Sequence, residues 1–178
     1  MLVCTSCGEE YSDNSVRVRC DCGEPLELDL QSGELREGDN VWRRFEDFYP
    51  FSIDFDRSLG EGETPLTSLD SFSSDLGFSL FVKNESVNPT WSFKDRGTFI
   101  GVQRAVDLGF DEIGTVSTGN MAASVAAYSA YNDLRSNIRV SAEISPEKIK
   151  PISVYGPNLI KVSGDYGEMS KGQPGADY

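Results

Sequence analysis

The stretch at residues 88–97, N-P-T-W-S-F-K-D-R-G, sets a lysine directly after alternating hydroxyl and aromatic residues and directly before an Asp-Arg pair. Ser92 and Asp95 have the spacing of a capping box, which predicts that a helix begins here. Gly109 supplies a stop signal, so the predicted helix covers residues 92–108. Its predicted apolar face consists of Phe99, Val102 and Val106.

Lys94 lies in the first turn of this predicted helix, at the positive end of the helix dipole. That field disfavours an ammonium group, and Arg96 acts in the same direction if it stays close. A neutral lysine amine forms Schiff bases with carbonyl compounds, and pyridoxal phosphate is the cofactor that uses this chemistry on amino acids. The alternative is an ordinary surface lysine beside an acid.

A second motif, T-V-S-T-G-N-M-A-A at residues 115–123, favours the cofactor-binding interpretation. A predicted strand ends, a short polar turn follows and a helix begins, and backbone N–H groups at such a helix start bind anions. Ser117 and Thr118 add hydroxyls. Gly119 allows close approach of the main chain, and Asn120 adds an amide donor. The alternative is an ordinary turn between a strand and a capped helix.

From about residue 63 the chain alternates predicted strands and helices, which indicates an α/β fold with a parallel sheet. No helix is predicted after the last strand, and a Gly- and Pro-rich stretch follows at residues 170–178, so we expect a chain that stops in mid-fold. The predicted strands are 79–83, 112–117, 138–144 and 159–163, and the further helices are 121–134 and a shorter one that opens at Ser145-Pro146.

All four cysteines lie within the first 22 residues, spaced C-x2-C and then C-x-C, which predicts two knuckles joined by a short hairpin. Four thiolates can close a tetrahedral zinc site that stabilises a segment too small for a core of its own. With no coordination position left open, such a zinc is structural. Disulfides or free thiols are the alternative, and disulfides need an oxidising compartment. The candidate ligands are Cys4, Cys7, Cys20 and Cys22.

A short amphipathic helix is predicted between the cysteines and the α/β region, because Trp42, Phe45 and Phe48 fall at helical spacing. Pro50 ends it, and we expect it to pack on the following domain. The predicted organisation is a zinc-ribbon-like leader at 1–30, a linker with this helix at 31–62, and a catalytic part at 63–178.

The amino-acid composition limits which partners and which chemistry the chain can use. The 178 residues include 29 acidic and 16 basic ones, for a net charge of −13, which disfavours nucleic acid and anionic membranes as partners. Histidine is absent, so a metal ion must be bound by Cys or carboxylate side chains. Proton transfer must likewise use Lys, Asp, Glu, Tyr or a cofactor. Neither a bilayer-spanning stretch nor a signal peptide is visible, and we therefore expect a reducing cytoplasm.

Together, N-P-T-x-S-F-K-D-R-G, S-T-G-N and the G-E-G-E-T-P-L of residues 60–66 resemble the motifs of threonine synthases. These are pyridoxal-phosphate enzymes of the tryptophan synthase β-like class, fold type II. The paired cysteines resemble the zinc-ribbon-like leader of some members. The resemblance covers residues 4–164 and corresponds to roughly the N-terminal half of a family member. It implies an incomplete parallel-sheet α/β fold of this class with a small zinc-ribbon-like leader.

By this resemblance, Lys94 binds pyridoxal 5'-phosphate covalently and moves protons at Cα and Cβ of the substrate. Asn120 is expected to hydrogen-bond the ring oxygen of the cofactor. Ser117, Thr118 and Gly119 are expected to help bind the carboxylate or phosphate of the substrate. The implied reaction converts O-phospho-L-homoserine and water into L-threonine and phosphate.

Two departures from the family pattern bear on these expectations. Trp91 stands where glycine is usual, and a bulky ring just before the lysine can alter the pocket. The family's glycine-rich loop for the cofactor phosphate and the hydroxyl partner of the pyridine nitrogen lie in its second half, and the early G-E-G-E carries two carboxylates that repel phosphate. We therefore expect weak cofactor binding and weak catalysis. A basic patch of Lys83, Lys94 and Arg96 is expected to attract anions.

Three hypotheses follow. The first is a threonine synthase acting on O-phosphohomoserine. The second is a sister enzyme, either a threonine dehydratase or a synthase that replaces a β-substituent. The third is a zinc-binding fragment that no longer binds the cofactor. The sequence leaves the oligomeric state open, a homodimer included.

Overall fold

The computed structural model describes residues 1–164, apart from Gln31 and Asp39, together with Gly167. The Gly- and Pro-rich stretch at 170–178 lies outside the described residues. No helix in the described part of the chain is long and apolar enough to span a membrane. The strands are β1 Leu2–Cys4, β2 Glu10–Tyr11, β3 Leu26–Leu28, β4 Leu66–Ser68, β5 Phe81–Lys83, β6 Glu112–Val116, β7 Arg135–Ser141 and β8 Asn158–Val162, and the helices are α1 Val41–Arg44, α2 Asp70–Leu76, α3 Lys94–Asp107, α4 Asn120–Tyr131 and α5 Pro146–Ser153.

A parallel sheet with the order β6–β7–β8 confirms the expected α/β class. Every second residue of the central strand β7 is buried, namely Ser136, Ile138 and Val140. One face of the sheet therefore lies in the core, while Asn137 and Arg139 point to the other, half-buried face. This alternation begins at polar Arg135, which is why the apolar pattern alone predicted a later start at residue 138.

α4 connects the sheet with the other long helix. Its residues Ala122 to Ser129 are all buried. One side packs with α5 and the sheet around Ile138 and Ile152, and the opposite side packs against α3 through Ala127 and Tyr128. Small alanine side chains let this helix approach both layers closely.

The linker packs on α3, as predicted, but its helix is shorter than predicted. α1 begins where the Asn40 side chain accepts a hydrogen bond from the Trp42 backbone N–H, and it gives way to a 3₁₀ turn at Glu46–Phe48. Trp42 is buried against Phe99, with ring centroids 5.2 Å apart. Only one of the three aromatic residues of the predicted face is therefore buried.

The strand predicted at residues 79–83 does not join the parallel sheet. β5 pairs antiparallel with β4 in a separate two-stranded sheet, so that part of the prediction is wrong. α2 between them ends at Gly77, whose φ of 74° lies in the left-handed region and turns the chain back. A helix of seven residues is also short for a parallel crossover.

The N-terminal residues form a small antiparallel sheet in which β1 lies between β2 and β3. β2 pairs back onto β1, so the predicted hairpin between the two cysteine pairs does not form. Arg104 of α3 donates hydrogen bonds to the Asp13 carbonyl and to the Asn14 side chain. The leader is thereby held against the C-terminal half of α3.

Candidate active site

Lys94 is the first residue of α3, two residues after the predicted helix start at Ser92. The Ser92 hydroxyl accepts a hydrogen bond from the Lys94 backbone N–H at 3.2 Å. The predicted capping box is nevertheless wrong, because the Asp95 carboxylate bonds to the Thr90 backbone and side chain. The Lys94 side chain is half-buried, with Nζ 4.4 Å from the centroid of the exposed Phe93 ring.

A cavity of about 490 Å³ lies between the start of α3 and the end of β6. The turn that follows β6 contributes Ser117, Thr118 and Gly119 to its walls, so the structure brings three predicted site residues together with Lys94. Met121, which sequence reasoning did not single out, also lines it. Asn120 is exposed and is not among the lining residues.

The start of α4 is open toward an incoming group. No side chain among the described residues caps this helix, and the Gly119 backbone N–H lies 3.3 Å from the Ser117 hydroxyl that accepts its hydrogen bond. Apart from the chain neighbours of Gly119, a Cβ added there would meet no atom of the residues that the structure describes within 4 Å. The backbone N–H groups of the first turn are therefore available to an anion.

Asp95, the residue that follows Lys94, joins α3 to α4. Its carboxylate is fully buried and accepts hydrogen bonds from the Thr90 backbone N–H at 2.7 Å, from the Thr90 hydroxyl, and from the Ser124 hydroxyl at 2.6 Å. Ser124 Oγ lies 2.8 Å from Thr98 Oγ1, which in turn lies 3.8 Å from the sulfur of Met121. Sequence reasoning had treated Asp95 only as a helix cap.

The predicted basic patch does not form as one surface, because Lys94 lines the cavity whereas Lys83 and Arg96 bind groups around Thr64. Arg96 donates hydrogen bonds to both Glu85 oxygens, to the Gly62 carbonyl and to Thr64, and Lys83 donates to the Thr64 carbonyl. Arg96 is thus committed to an ion pair with Glu85. The guanidinium, aided by Thr64, lowers the pKa of Glu85 to about 2 despite partial burial.

The G-E-G-E-T-P-L loop has an internal structural role. Glu61 is fully buried and accepts hydrogen bonds from Trp42 Nε1 at 2.6 Å and from the Tyr128 hydroxyl at 2.5 Å, as well as from Ser58 and the Leu59 N–H. Burial, reinforced by Glu61, raises the pKa of Tyr128. This carboxyl group therefore joins the linker to α4 and does not face the cavity, contrary to its expected role of repelling phosphate.

Trp91, the departure from the expected glycine, has φ of 62°, and its side chain is 75% exposed. Glycine reaches this left-handed conformation without strain, whereas a side chain makes it costly. The ring points into solvent, and Trp91 is not among the residues that line the cavity.

The four cysteines form a candidate metal centre. Their sulfur atoms all lie within 4.8 Å of one another, and the pairs Cys4–Cys22 and Cys7–Cys20 are 3.5 Å apart. A zinc site with Zn–S of about 2.3 Å places its sulfurs about 3.8 Å apart, whereas a disulfide needs about 2.05 Å. Among these interacting thiols, hydrogen bonds from the Cys7 and Ser6 backbone N–H groups lower the pKa of Cys4 to about 6, whereas hydrogen bonds with Cys20 and Cys4 raise the pKa of Cys22. The donor set fits a structural zinc ion.

Comparison with known proteins decides the family. A family described as pyridoxal-phosphate dependent enzyme matches residues 57–172, which include Lys94, the turn after β6, and α4. The chain belongs to this family.

The relatives of this pyridoxal-phosphate family member include threonine synthases. That of Methanocaldococcus jannaschii is 35% identical over 176 residues, which are 92% of this chain and 43% of the relative. That of Methanosarcina acetivorans is 30% identical over 179 residues, 93% of this chain and 43% of the relative. The chain thus spans less than half the length of these relatives. The processed form of threonine deaminase isoform 2 from Solanum lycopersicum matches in structure with a TM-score of 0.57 at 24% identity, covering 61% of this chain and 30% of that one, which shows the fold.

The cavity fits the cofactor that gives the pyridoxal-phosphate family its name. It offers a primary amine at Lys94, an uncapped helix start, and open space at Gly119 where a side chain would otherwise project. The aldehyde of the cofactor requires the first of these features, and the carboxylate or phosphate of a substrate requires the other two. The buried residues Asp95 and Glu61 gave no signal at sequence level beyond their place in the motifs.

Proposed function

We propose that this chain supplies the lysine side of a threonine synthase active site, which converts O-phospho-L-homoserine and water into L-threonine and phosphate. The observation that carries the proposal is the shared cavity of Lys94 and the turn at Ser117, Thr118 and Gly119. The threonine synthases among the relatives support the choice of reaction.

In this proposal, the Lys94 amine binds pyridoxal 5'-phosphate covalently and, once the substrate takes its place, moves protons at Cα and Cβ. Pyridoxal phosphate, when bound, supplies an electron sink for negative charge at these carbons. The N–H groups and hydroxyls of Ser117, Thr118 and Gly119 hold the carboxylate or phosphate of the substrate. Asn120 donates to the ring oxygen of the cofactor, for which its exposed side chain must turn toward the cavity.

Covalent labelling tests the first step. Incubation with pyridoxal phosphate, borohydride reduction and peptide mass spectrometry locate the labelled lysine. We expect Lys94 to be labelled at concentrations well below those that label exposed Lys148 and Lys150 of α5, and we expect Lys94→Ala to abolish the preferred label. Equal labelling of all three lysines would contradict the proposal.

A sister reaction is the second candidate, because the fold is shared with a threonine deaminase and does not by itself select the reaction. Product analysis separates the two. The cofactor-loaded protein is offered O-phosphohomoserine, threonine and O-phosphoserine in turn. Threonine and phosphate formed from the first substrate support a threonine synthase, 2-oxobutyrate formed from threonine supports a dehydratase, and turnover of O-phosphoserine supports a β-replacement synthase.

We also propose that Cys4, Cys7, Cys20 and Cys22 hold a structural zinc ion. The spacing of the four sulfur atoms supports this. Zinc analysis of the purified chain is expected to give about one ion per chain. A metal-free chain whose leader is folded would contradict the proposal and favour free thiols or disulfides.

A further inference from the structure

We infer that Asp95 is a positioning residue, which fixes the Lys94 amine against the turn after β6. This inference rests on the proposed function of Lys94. It starts from the chain order, since the fully buried carboxylate of Asp95 belongs to the residue directly after Lys94. Any displacement of Asp95 therefore displaces the first turn of α3 and the lysine with it.

Asp95 accepts hydrogen bonds from two different parts of the chain. The Thr90 backbone N–H and hydroxyl bind the carboxylate from the loop that precedes α3. The Ser124 hydroxyl binds it from α4, one turn after Asn120 begins that helix. One carboxylate thus joins the loop before the lysine, the lysine's own helix, and the helix that begins at the substrate-binding turn.

The surroundings make this connection rigid. Hydrogen bonds to a buried carboxylate are short and strong, and leaving a donor unsatisfied in the interior is costly. Ser124 also contacts Thr98, and Thr98 contacts Met121 in the cavity wall. A loss at Asp95 therefore reaches both the lysine and the opposite wall, and misplacement by about 1 Å can cost a hundredfold in reaction rate.

The test compares Asp95→Asn and Ser124→Ala with the control Ser129→Ala. Ser129 is also fully buried on α4, but among the described residues its hydroxyl binds only the Val125 carbonyl of its own helix. Cofactor attachment at Lys94 is measured by borohydride trapping over a range of pyridoxal phosphate concentrations. We expect the half-saturating concentration to rise about tenfold or more in Asp95→Asn, about threefold in Ser124→Ala, and less than twofold in the control.

Thermal unfolding of the same variants separates positioning from stability. If Ser124→Ala and Ser129→Ala lower Tm equally but only Ser124→Ala weakens attachment, the positioning role is supported. If attachment follows Tm alone in all three variants, Asp95 is merely structural and the inference is overturned. Ser124→Ala keeps the test decisive even if Asp95→Asn does not fold.

A second probe works without the cofactor and separates failure of this inference from failure of the proposed function. Reductive methylation with formaldehyde labels lysine amines, with exposed Lys150 as the internal reference. We expect the Lys94 to Lys150 rate ratio to rise about threefold in Asp95→Asn as the half-buried amine is released, and to stay constant in Ser129→Ala. No cofactor label at Lys94 in the unchanged chain would contradict the proposed function, whereas an unchanged methylation ratio in Asp95→Asn would overturn the role of Asp95.

Discussion

The leader at residues 1–30 and the layer formed by α3 and α4 are held together in different ways. In the leader, the buried residues within the part that the structure describes are Cys4 and Cys20, both candidate metal ligands. In the helix layer, α4 alone buries every residue from Ala122 to Ser129, and buried carboxyl groups connect its helices and loops. Under the proposal that the four cysteines hold a metal ion, that ion stabilises the first region, whereas burial and internal hydrogen bonds stabilise the second.

Metal removal should have the largest effect, and it should affect only one region. Chelation, or Cys20→Ser, is expected to unfold β1, β2 and β3 because the leader has little other buried area. α3 and α4 should keep their slow amide hydrogen exchange. Exchange measured peptide by peptide, with zinc content in parallel, checks this. Ser6→Ala in the same loop is the matched control, and a leader that stays protected without metal would remove the contrast between the regions.

Loss of the Glu61 carboxylate should produce the next largest effect, in the helix layer. Glu61→Gln leaves at least one of the buried donors from Trp42 and Tyr128 without a suitable acceptor, and we expect about 2–4 kcal/mol less unfolding free energy. Urea unfolding measures it. Glu63→Gln is the control, because that side chain is 42% exposed and pairs with Arg44 at the surface. Equal losses in both variants would show that burial of Glu61 is not the cause.

The ion pair of Glu85 with Arg96 predicts a pH dependence. The pKa of Glu85 is lowered from 4.5 to about 2 in the folded protein, so its contribution is complete above about pH 4.5 and is lost as the pH falls toward 2. Glu85→Gln should therefore cost about 1–2 kcal/mol at pH 7, and progressively less below pH 4.5. Unfolding free energies against pH for both proteins check this.

The control for this measurement is Glu112→Gln, because Glu112 pairs with Arg135 at 3.6 Å and both side chains are more than half exposed. It should change stability by less than about 0.5 kcal/mol at any pH. A cost of Glu85→Gln that stays constant down to pH 2 would show that packing of the loop, and not the charge of Glu85, is responsible.

The sequence predicts the features that depend on neighbouring residues, but it does not predict contacts between distant parts of the chain. The cysteine cluster, the start of α3 near Lys94 and the turn at Ser117 to Gly119 are encoded by neighbours in the chain, and spacing alone predicts them. Trp42 and Tyr128, which donate to Glu61, lie 19 and 67 residues from it, and Ser124 lies 29 residues from Asp95. Such contacts leave no periodic signal, because they arise only when separate elements pack.

Substitution of Trp91 should have the smallest effect on stability. It tests backbone strain in the loop that precedes α3. Its φ of 62° costs a residue with a side chain about 1–2 kcal/mol, and its exposed ring returns little. Replacing Trp91 by glycine relieves this strain, but glycine also gives the unfolded chain more conformational freedom, which cancels part of the gain in stability. Trp91→Gly should therefore stabilise the protein by up to about 1 kcal/mol in urea unfolding.

Trp91→Ala is the decisive control for this change. Alanine removes the ring but keeps Cβ, so the left-handed strain remains and no comparable gain is expected. If alanine stabilises as much as glycine, the exposed ring and not the backbone is the cause. A gain confined to glycine would show that the loop before Lys94 holds its shape against local preference, as the hydrogen bonds from Thr90 to Asp95 require.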